Sequence, residues 1–245
     1  MARKVEDLNL ALATLSGSAP IPIESVMLRG RRLVVPEPLN GCPPSPENEA
    51  ALEASLEVLR ERGMNIQRGG IALDPVPFEY AAWLYRFWLP SLLRQLGGGT
   101  PLRMLAELKN HAVRRPTISR KVLALIAMMS LTGPFLAAAG RGRPARLAQL
   151  KREMSQTLGE EGVVVWHWSA SVAPTTSTSG LTGSSGYTTV FNALGAPAAV
   201  VPTGMSREAL PLAVQVAAAP GKDETVLAVC RAIEDAFGGW RPPPV

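Results

Sequence analysis

The stretch YTTVFNALGAPAAVVPTG, residues 187–204, decides the fold prediction for this chain of 245 residues. It contains Ala198–Val201, a short apolar run that predicts a β-strand in the protein core. Leu212–Ala217 predicts a second strand shortly afterwards, and Val163–Trp168 predicts a buried strand upstream. The C-terminal third is therefore expected to be rich in strands, and we expect Asp223 to cap a final helix behind them.

Helices and strands also alternate in the first 76 residues. A helix is predicted from about Arg3 to Ser16, a strand at Arg32–Val35, a helix before Gly63 and a strand at Met64–Gln67. This α, β, α, β order favours a layered α/β fold. The pattern resumes near residue 143, with a helix face formed by Leu147, Leu150, Met154 and Leu158.

The segment 77–142 differs in character and is predicted to be a helical insert between α/β parts at 1–76 and 143–245. It opens with clustered aromatic residues, and Val122–Ala139 then runs for 18 residues without a charge. That length is at the margin for a membrane span. Because Gly133-Pro134 is expected to kink or end a helix, a buried or membrane-surface hairpin is preferred over a span.

Composition and charge narrow the classes of function. Hydrophobic residues make up 47% of the chain and charged residues 18%, so the chain as a whole is not expected to be disordered. The net charge is +5, and eleven basic residues between Arg103 and Arg152 accompany a single acid, Glu107. Such a block could meet an anionic membrane or nucleic acid. Since no aromatic residues are interleaved with it and no nucleic-acid-binding motif occurs, we predict a possible membrane surface and no nucleic acid.

The cysteines and the N-terminus suggest an intracellular setting. Cys42 and Cys230 form no CxxC pair, so we predict free thiols, no bound metal and no cofactor. Glu6 and Asp7 interrupt the apolar run that a signal peptide would need. The predicted location is cytoplasmic or peripherally membrane-associated, and not secreted.

Three segments in order resemble the amidase-signature family. The head of the chain, MARKVED, resembles the family's G-P-M-A-R-x-V-x-D-L segment from its methionine onward. Residues 191–204 resemble the run F-N-x-x-G-x-P-A-x-x-V-P-x-G, and Leu210–Gln215 resembles the strand L-P-x-G-x-Q. The resemblance implies a mixed β-sheet flanked by helices, of which this chain would supply a part. Leu89-Pro90-Ser91 and the stretch after it resemble the membrane-facing insert of fatty-acid amide hydrolases.

The resemblance also implies where the chemistry resides. Family members use a lysine as base, a bridging serine, and a second serine that attacks the amide carbonyl. A G-G-S-S-G-G segment carries the bridging serine, upstream of the M-A-R segment. We therefore expect this chain to be a fragment that lacks the catalytic residues and is inactive alone. The full-length form would act on a small-molecule amide or lipid substrate, and a fatty-acyl amide is the expected substrate.

The resemblance predicts substrate-binding residues as well. Gly183-Ser184-Ser185-Gly186 has the look of the catalytic segment, but it lies next to the F-N run, where the family has a loop beside the cleft. We interpret it as part of the cleft lining, with four predicted substrate-binding residues: Thr182, Ser185, Tyr187 and Thr189.

Three alternatives stay open. One is a self-sufficient enzyme with Ser184 or Ser185 as its nucleophile. A Ser/His/Asp triad could be drawn from His111 or His167 with Asp74 or Asp223, but nothing in the sequence brings these residues together. We expect the histidines to have surface or packing roles. A non-catalytic binding or regulatory protein that retains the acyl-binding half is the alternative to an amidase fragment.

Overall fold

The computed structural model describes residues 2–175 and 185–242. The chain divides into two compact units, Met1–Asp74 with Lys151–Val245, and Pro75–Leu150. The predicted insert, 77–142, lies within the second unit. Its membrane-facing role stays a prediction.

The first unit is built on a mixed five-stranded sheet. The strands are β1 (Arg32–Val35), β2 (Asn65–Arg68), β3 (Val163–His167), β4 (Ala198–Met205) and β5 (Pro211–Ala218). Their order is β2-β1-β3-β5-β4, in which β1 is parallel to β2 and β3, and β5 is antiparallel to β3 and β4. A mixed sheet flanked by helices was predicted, and that fold class is confirmed.

Nine α-helices occur in the described residues: α1 (Val5–Ser16), α2 (Pro46–Glu61), α3 (Val76–Trp83), α4 (Leu89–Leu96), α5 (Met104–Ala112), α6 (Arg120–Ala138), α7 (Pro144–Leu158), α8 (Ser185–Leu194) and α9 (Asp223–Phe237). A 3-10 turn, Ile23–Ser25, follows α1, and one π-helical turn, Leu84–Trp88, joins α3 to α4. Helix α7 begins in the second unit and ends in the first.

Helices α1, α2 and α9 cover one face of the sheet. The N-terminus of helix α2 is stabilised because the Ser45 hydroxyl accepts a hydrogen bond from the Asn48 N–H and Pro46 occupies the first helical position. Its Leu52, Leu56 and Leu59 are spaced along one side and are fully buried against the strands. Burial of apolar side chains of this size contributes about 1.5–3 kcal/mol each.

Helix α9 has a different N-terminus from the predicted one. Lys222 is the capping residue, its side chain makes no capping hydrogen bond, and Asp223 is the first helical residue. Its carboxylate still lies in the first turn, where the helix dipole favours negative charge. The helix ends at Gly238, which adopts a left-handed conformation there.

Helix α8 contributes the aromatic part of the opposite face. Its Tyr187 and Phe191 contact Trp166 of β3, with ring centroids 4.6 Å and 6.2 Å apart. All three side chains are fully buried. Aromatic pairs at such distances gain roughly 0.5–1.5 kcal/mol beyond the area they bury. The sheet is thus covered by helices on both faces.

The regular secondary structure of the second unit is all helical. Two buried carboxylates accept hydrogen bonds from its loops. Glu107 of α5 accepts hydrogen bonds from the backbone N–H groups of Thr117 and Ile118 at 2.8 Å and 3.1 Å. These bonds, led by one from the Thr117 hydroxyl, lower the pKa of Glu107 to about 2. Glu79 of α3 accepts a 2.7 Å bond from the Gly142 N–H.

The predicted hairpin within Val122–Ala139 is wrong, because α6 runs as one helix through Pro134. A proline removes one helix hydrogen bond, but here the helix packs on the preceding segment at that point. Gly133 has no side chain, and the ring of Tyr85 fills the space that a Cβ would need. By length and composition, helix α6 is also long and apolar enough to cross a membrane. Of its 18-residue apolar stretch, 22% is buried.

Candidate functional site

Four strands of the first unit end at the same edge of the sheet. Strands β1, β2, β3 and β4 run in one direction, so their carboxyl ends and the loops that follow them lie on one side. Open α/β sheets bind ligands outside the carboxyl ends of their strands. This edge, with the start of α8 beside it, is the candidate functional site.

The Tyr187 side chain links helix α8 to the loop after β1 by two hydrogen bonds. Its hydroxyl donates a 2.7 Å hydrogen bond to the Cys42 carbonyl and accepts a 3.3 Å bond from the Leu39 N–H. Burial is the largest cause that raises the pKa of Tyr187 to about 12. The phenol therefore stays protonated at physiological pH and can hold both bonds.

His167 lies at the end of β3 against the edge of the Tyr187 ring, with ring centroids 5.9 Å apart. Its Nε2 is 3.2 Å from the Glu49 carboxylate, and its buried Nδ1 has no hydrogen-bond partner in the described part of the chain. Burial lowers the pKa of His167 to about 4, against the opposing pull of the Glu53 charge. The imidazole is therefore neutral at pH 7.

The loop after β3 is held by the start of helix α2. The Ser45 N–H donates a 2.6 Å hydrogen bond to the Ala170 carbonyl, and the Asn48 side-chain amide donates a 2.9 Å bond to the Ser169 carbonyl. Two loops of the candidate site are thus fixed by residues from elsewhere in the chain, which gives this edge a defined backbone shape.

Of the four predicted substrate-binding residues, three lie in the described part of the chain. Thr182 lies outside the described residues, and Ser185 begins α8. Tyr187 is fully buried and Thr189 is half-buried one half-turn further along. Two residues apart, Tyr187 and Thr189 extend from different sides of the helix. Their role in binding substrate stays a prediction.

Neither histidine joins the aspartates that a triad would need. The carboxylate nearest His167 belongs to Glu49, and that of His111 to Glu107 at 3.8 Å. Asp74 instead accepts hydrogen bonds from the backbone and side chain of Asn40, at 2.8 Å and 2.9 Å. Residues 2–175 and 185–242 contain no group of three His, Cys, Asp or Glu side chains that could hold a metal ion.

Sequence reasoning missed Glu49, Asn48 and the loop contacts of Tyr187. Glu49 is 118 positions from His167 and Cys42 is 145 positions from Tyr187. Ser45-Pro46, followed by apolar residues at helical spacing, predicts where α2 starts. This local pattern does not predict which residues the first turn of the helix contacts.

The sequence of this chain matches a known family. The Amidase family model matches residues 1–227, so the chain belongs to the amidase family. Fatty-acid amide hydrolase 2 of Homo sapiens is 40% identical over 96 residues, which are 38% of this chain and 18% of that protein. Fatty-acid amide hydrolase 2-B of Danio rerio is 39% identical over 97 residues, again 18% of its length.

Solved structures share the fold at low sequence identity. A 6-aminohexanoate cyclic dimer hydrolase superposes with a TM-score of 0.68 and 20% identity, over 99% of this chain and 55% of that one. A fatty acid amide hydrolase gives 0.61 and 18%, over 97% and 47%. A bacterial aryl acylamidase of the amidase signature family gives 0.62 and 17%, over 96% and 52%. The chain thus spans about half the length of these structures.

Proposed function

We propose that this chain is part of an amide-bond hydrolase whose substrates are fatty-acyl amides. The 40% identity to a fatty-acid amide hydrolase over 96 residues carries the proposal. A shared fold alone supports many chemistries, so the substrate class rests on that relative and not on the solved structures. Family membership supports the coarser statement, amide hydrolysis.

The nucleophile, its bridging serine and its lysine base are proposed to lie outside these 245 residues. The sequence contains no G-G-S-S-G-G segment, and Gly183–Gly186 lacks the glycines on both sides. The titratable side chains at the sheet edge are suited to holding loops. His167 is buried beside Glu49, and the Tyr187 hydroxyl is bonded to two backbone groups.

The contribution proposed for this half is one wall of the substrate cleft. Of the predicted residues, Thr182, Ser185 and Thr189 would form its surface beside the carboxyl ends of β1, β3 and β4, and Tyr187 would support it. A wall of small polar groups leaves room for an acyl chain and offers a few hydrogen bonds. Buried Tyr187 would serve this wall by holding the loop at Leu39–Cys42 in position.

A membrane surface is the proposed partner of the second unit. One side of α6 is apolar and exposed at helical spacing, through Leu125, Met128, Leu131 and Phe135. Leu131 and Phe135 are 70% and 78% exposed, and contact with lipid would remove such area from water. Basic residues of the same unit, including Arg114 and Arg115, suit anionic headgroups at about 1 kcal/mol each.

A fusion protein tests the catalytic proposal. A segment of fatty-acid amide hydrolase 2 that ends where this chain begins to match the family would be joined to the N-terminus of this chain. The fusion is expected to release fatty acid from a long-chain acyl amide, while the 245 residues alone release none. The matched control is the same fusion with its donor nucleophile changed to alanine. A folded fusion that hydrolyses short aryl amides but not long-chain amides would contradict the substrate class.

A further inference from the structure

An apolar cavity in the first unit lies beside the turn that joins β4 to β5. Its volume is about 260 Å³, and its walls come from the hairpin and from the segment after α9. The apolar walls include Met205, Leu210, Pro211, Phe237 and Trp240. Met205 and Trp240 remain 40% and 42% exposed, so the cavity opens to solvent. The size suits a single short apolar chain better than a drug-sized ligand.

One arginine lines this cavity, and a second contacts a residue of its wall. Arg241 lines it and donates a weak 3.5 Å hydrogen bond to the Phe237 carbonyl. The guanidinium of Arg3 lies 4.4 Å from the ring centroid of Trp240, which forms one wall. Neither arginine has a carboxylate within ion-pair distance among residues 2–175 and 185–242.

The acidic residues close to Trp240 are engaged elsewhere. Arg231 pairs with Glu6 at 2.6 Å, with Asp235 at 2.9 Å and with Glu234 at 3.7 Å. Glu234 also accepts a 3.1 Å hydrogen bond from the Val5 N–H at the start of α1. Among the described residues these acids pair with Arg231 and not with Arg241, so the Arg241 guanidinium can pair with an external anion.

We propose that this cavity binds a medium-chain carboxylate, with its alkyl chain against Met205, Leu210 and Phe237 and its head group at Arg241. Binding of the alkyl chain in an apolar cavity is favourable because it removes apolar surface area from water. A guanidinium forms strong, directional hydrogen bonds with a carboxylate. The cavity lies beside the turn that follows β4, and binding of a carboxylate there does not depend on catalysis by this chain.

Calorimetric titration of the purified 245-residue chain tests the ligand chemistry. Octanoate, hexanoate, acetate and octanol are the probes. Octanoate is expected to bind one site, about fourfold tighter for each methylene beyond hexanoate if the added groups are fully buried. Acetate tests the head group alone and octanol the chain alone, and both should bind at least tenfold more weakly than octanoate. No saturable octanoate binding, or equal binding of octanol and octanoate, would overturn the proposal.

Matched variants test the location. Arg241→Gln is expected to weaken octanoate binding about tenfold and to leave octanol binding unchanged. Arg207→Gln is the control, because that arginine has the same charge on the same hairpin, is 96% exposed and does not line the cavity. Leu210→Gln should weaken both ligands. Equal losses for the two arginine variants would mean that net charge, and not this cavity, holds the anion.

Discussion

Replacing Tyr187 with phenylalanine removes one hydroxyl group and keeps the ring that packs on Trp166. Two backbone groups then lose their partner, the Leu39 N–H and the Cys42 carbonyl. A typical hydrogen bond contributes about 0.5–1.5 kcal/mol net. One of these bonds is short, 2.7 Å, and the other long, 3.3 Å, so their sum is about 2 kcal/mol.

The assay is thermal unfolding together with residue-resolved hydrogen exchange. For a unit of this size, about 2 kcal/mol lowers the melting temperature by roughly 4–8 °C. The Leu39 amide should lose most of its protection, whereas the central residues of α2 should change only by the global amount. Tyr80→Phe is the control, because the Tyr80 ring stacks on Trp83 and its loss of a hydroxyl frees no backbone group of the loop after β1. An unchanged Leu39 amide in Tyr187→Phe would refute the bridging role.

Three further predictions concern acid, packing and membranes. The buried imidazole of His167 has its pKa lowered from 6.5 to about 4, so the unfolded chain binds more protons between those values. The stability of the first unit should therefore fall as pH drops from 6.5 to 4, and His167→Gln should flatten that part of the denaturation profile. Gly133→Ala forces a Cβ against the Tyr85 ring and should cost about 1–3 kcal/mol in urea unfolding, with Tyr85→Ala relieving part of the loss in a double-mutant cycle. Co-sedimentation with anionic liposomes should rise with anionic lipid, fall with salt, and drop when Leu131 and Phe135 become serine; equal recovery with and without liposomes leaves no membrane role.

The strands were predictable because their burial is encoded locally. Val163–His167 is an uninterrupted apolar run ending in a histidine, and all five of its residues are buried. Ala198–Val201 and Leu212–Ala217 are found within β4 and β5, which extend further at their ends. Strand order and direction were not predictable in this way, because pairing joins residues far apart in sequence, as in Leu33 with Val163.

The failure at Gly133-Pro134 has a different cause. Local propensity predicts a break there, but the close packing of Tyr85 against Gly133 depends on a residue 48 positions earlier. The same limit applies to the candidate site. The motif around Tyr187 was visible in the sequence, while its bonds to Leu39 and Cys42 follow only from the folded arrangement of two distant loops.

We propose above that the nucleophile of this amide hydrolase lies outside the 245 residues. Labelling of the purified 245 residues with a fluorophosphonate probe, read by intact mass, tests it most directly. We expect no stoichiometric adduct with the wild-type chain, and the same result with Ser184→Ala and Ser185→Ala. A stoichiometric adduct that disappears in either variant would contradict it.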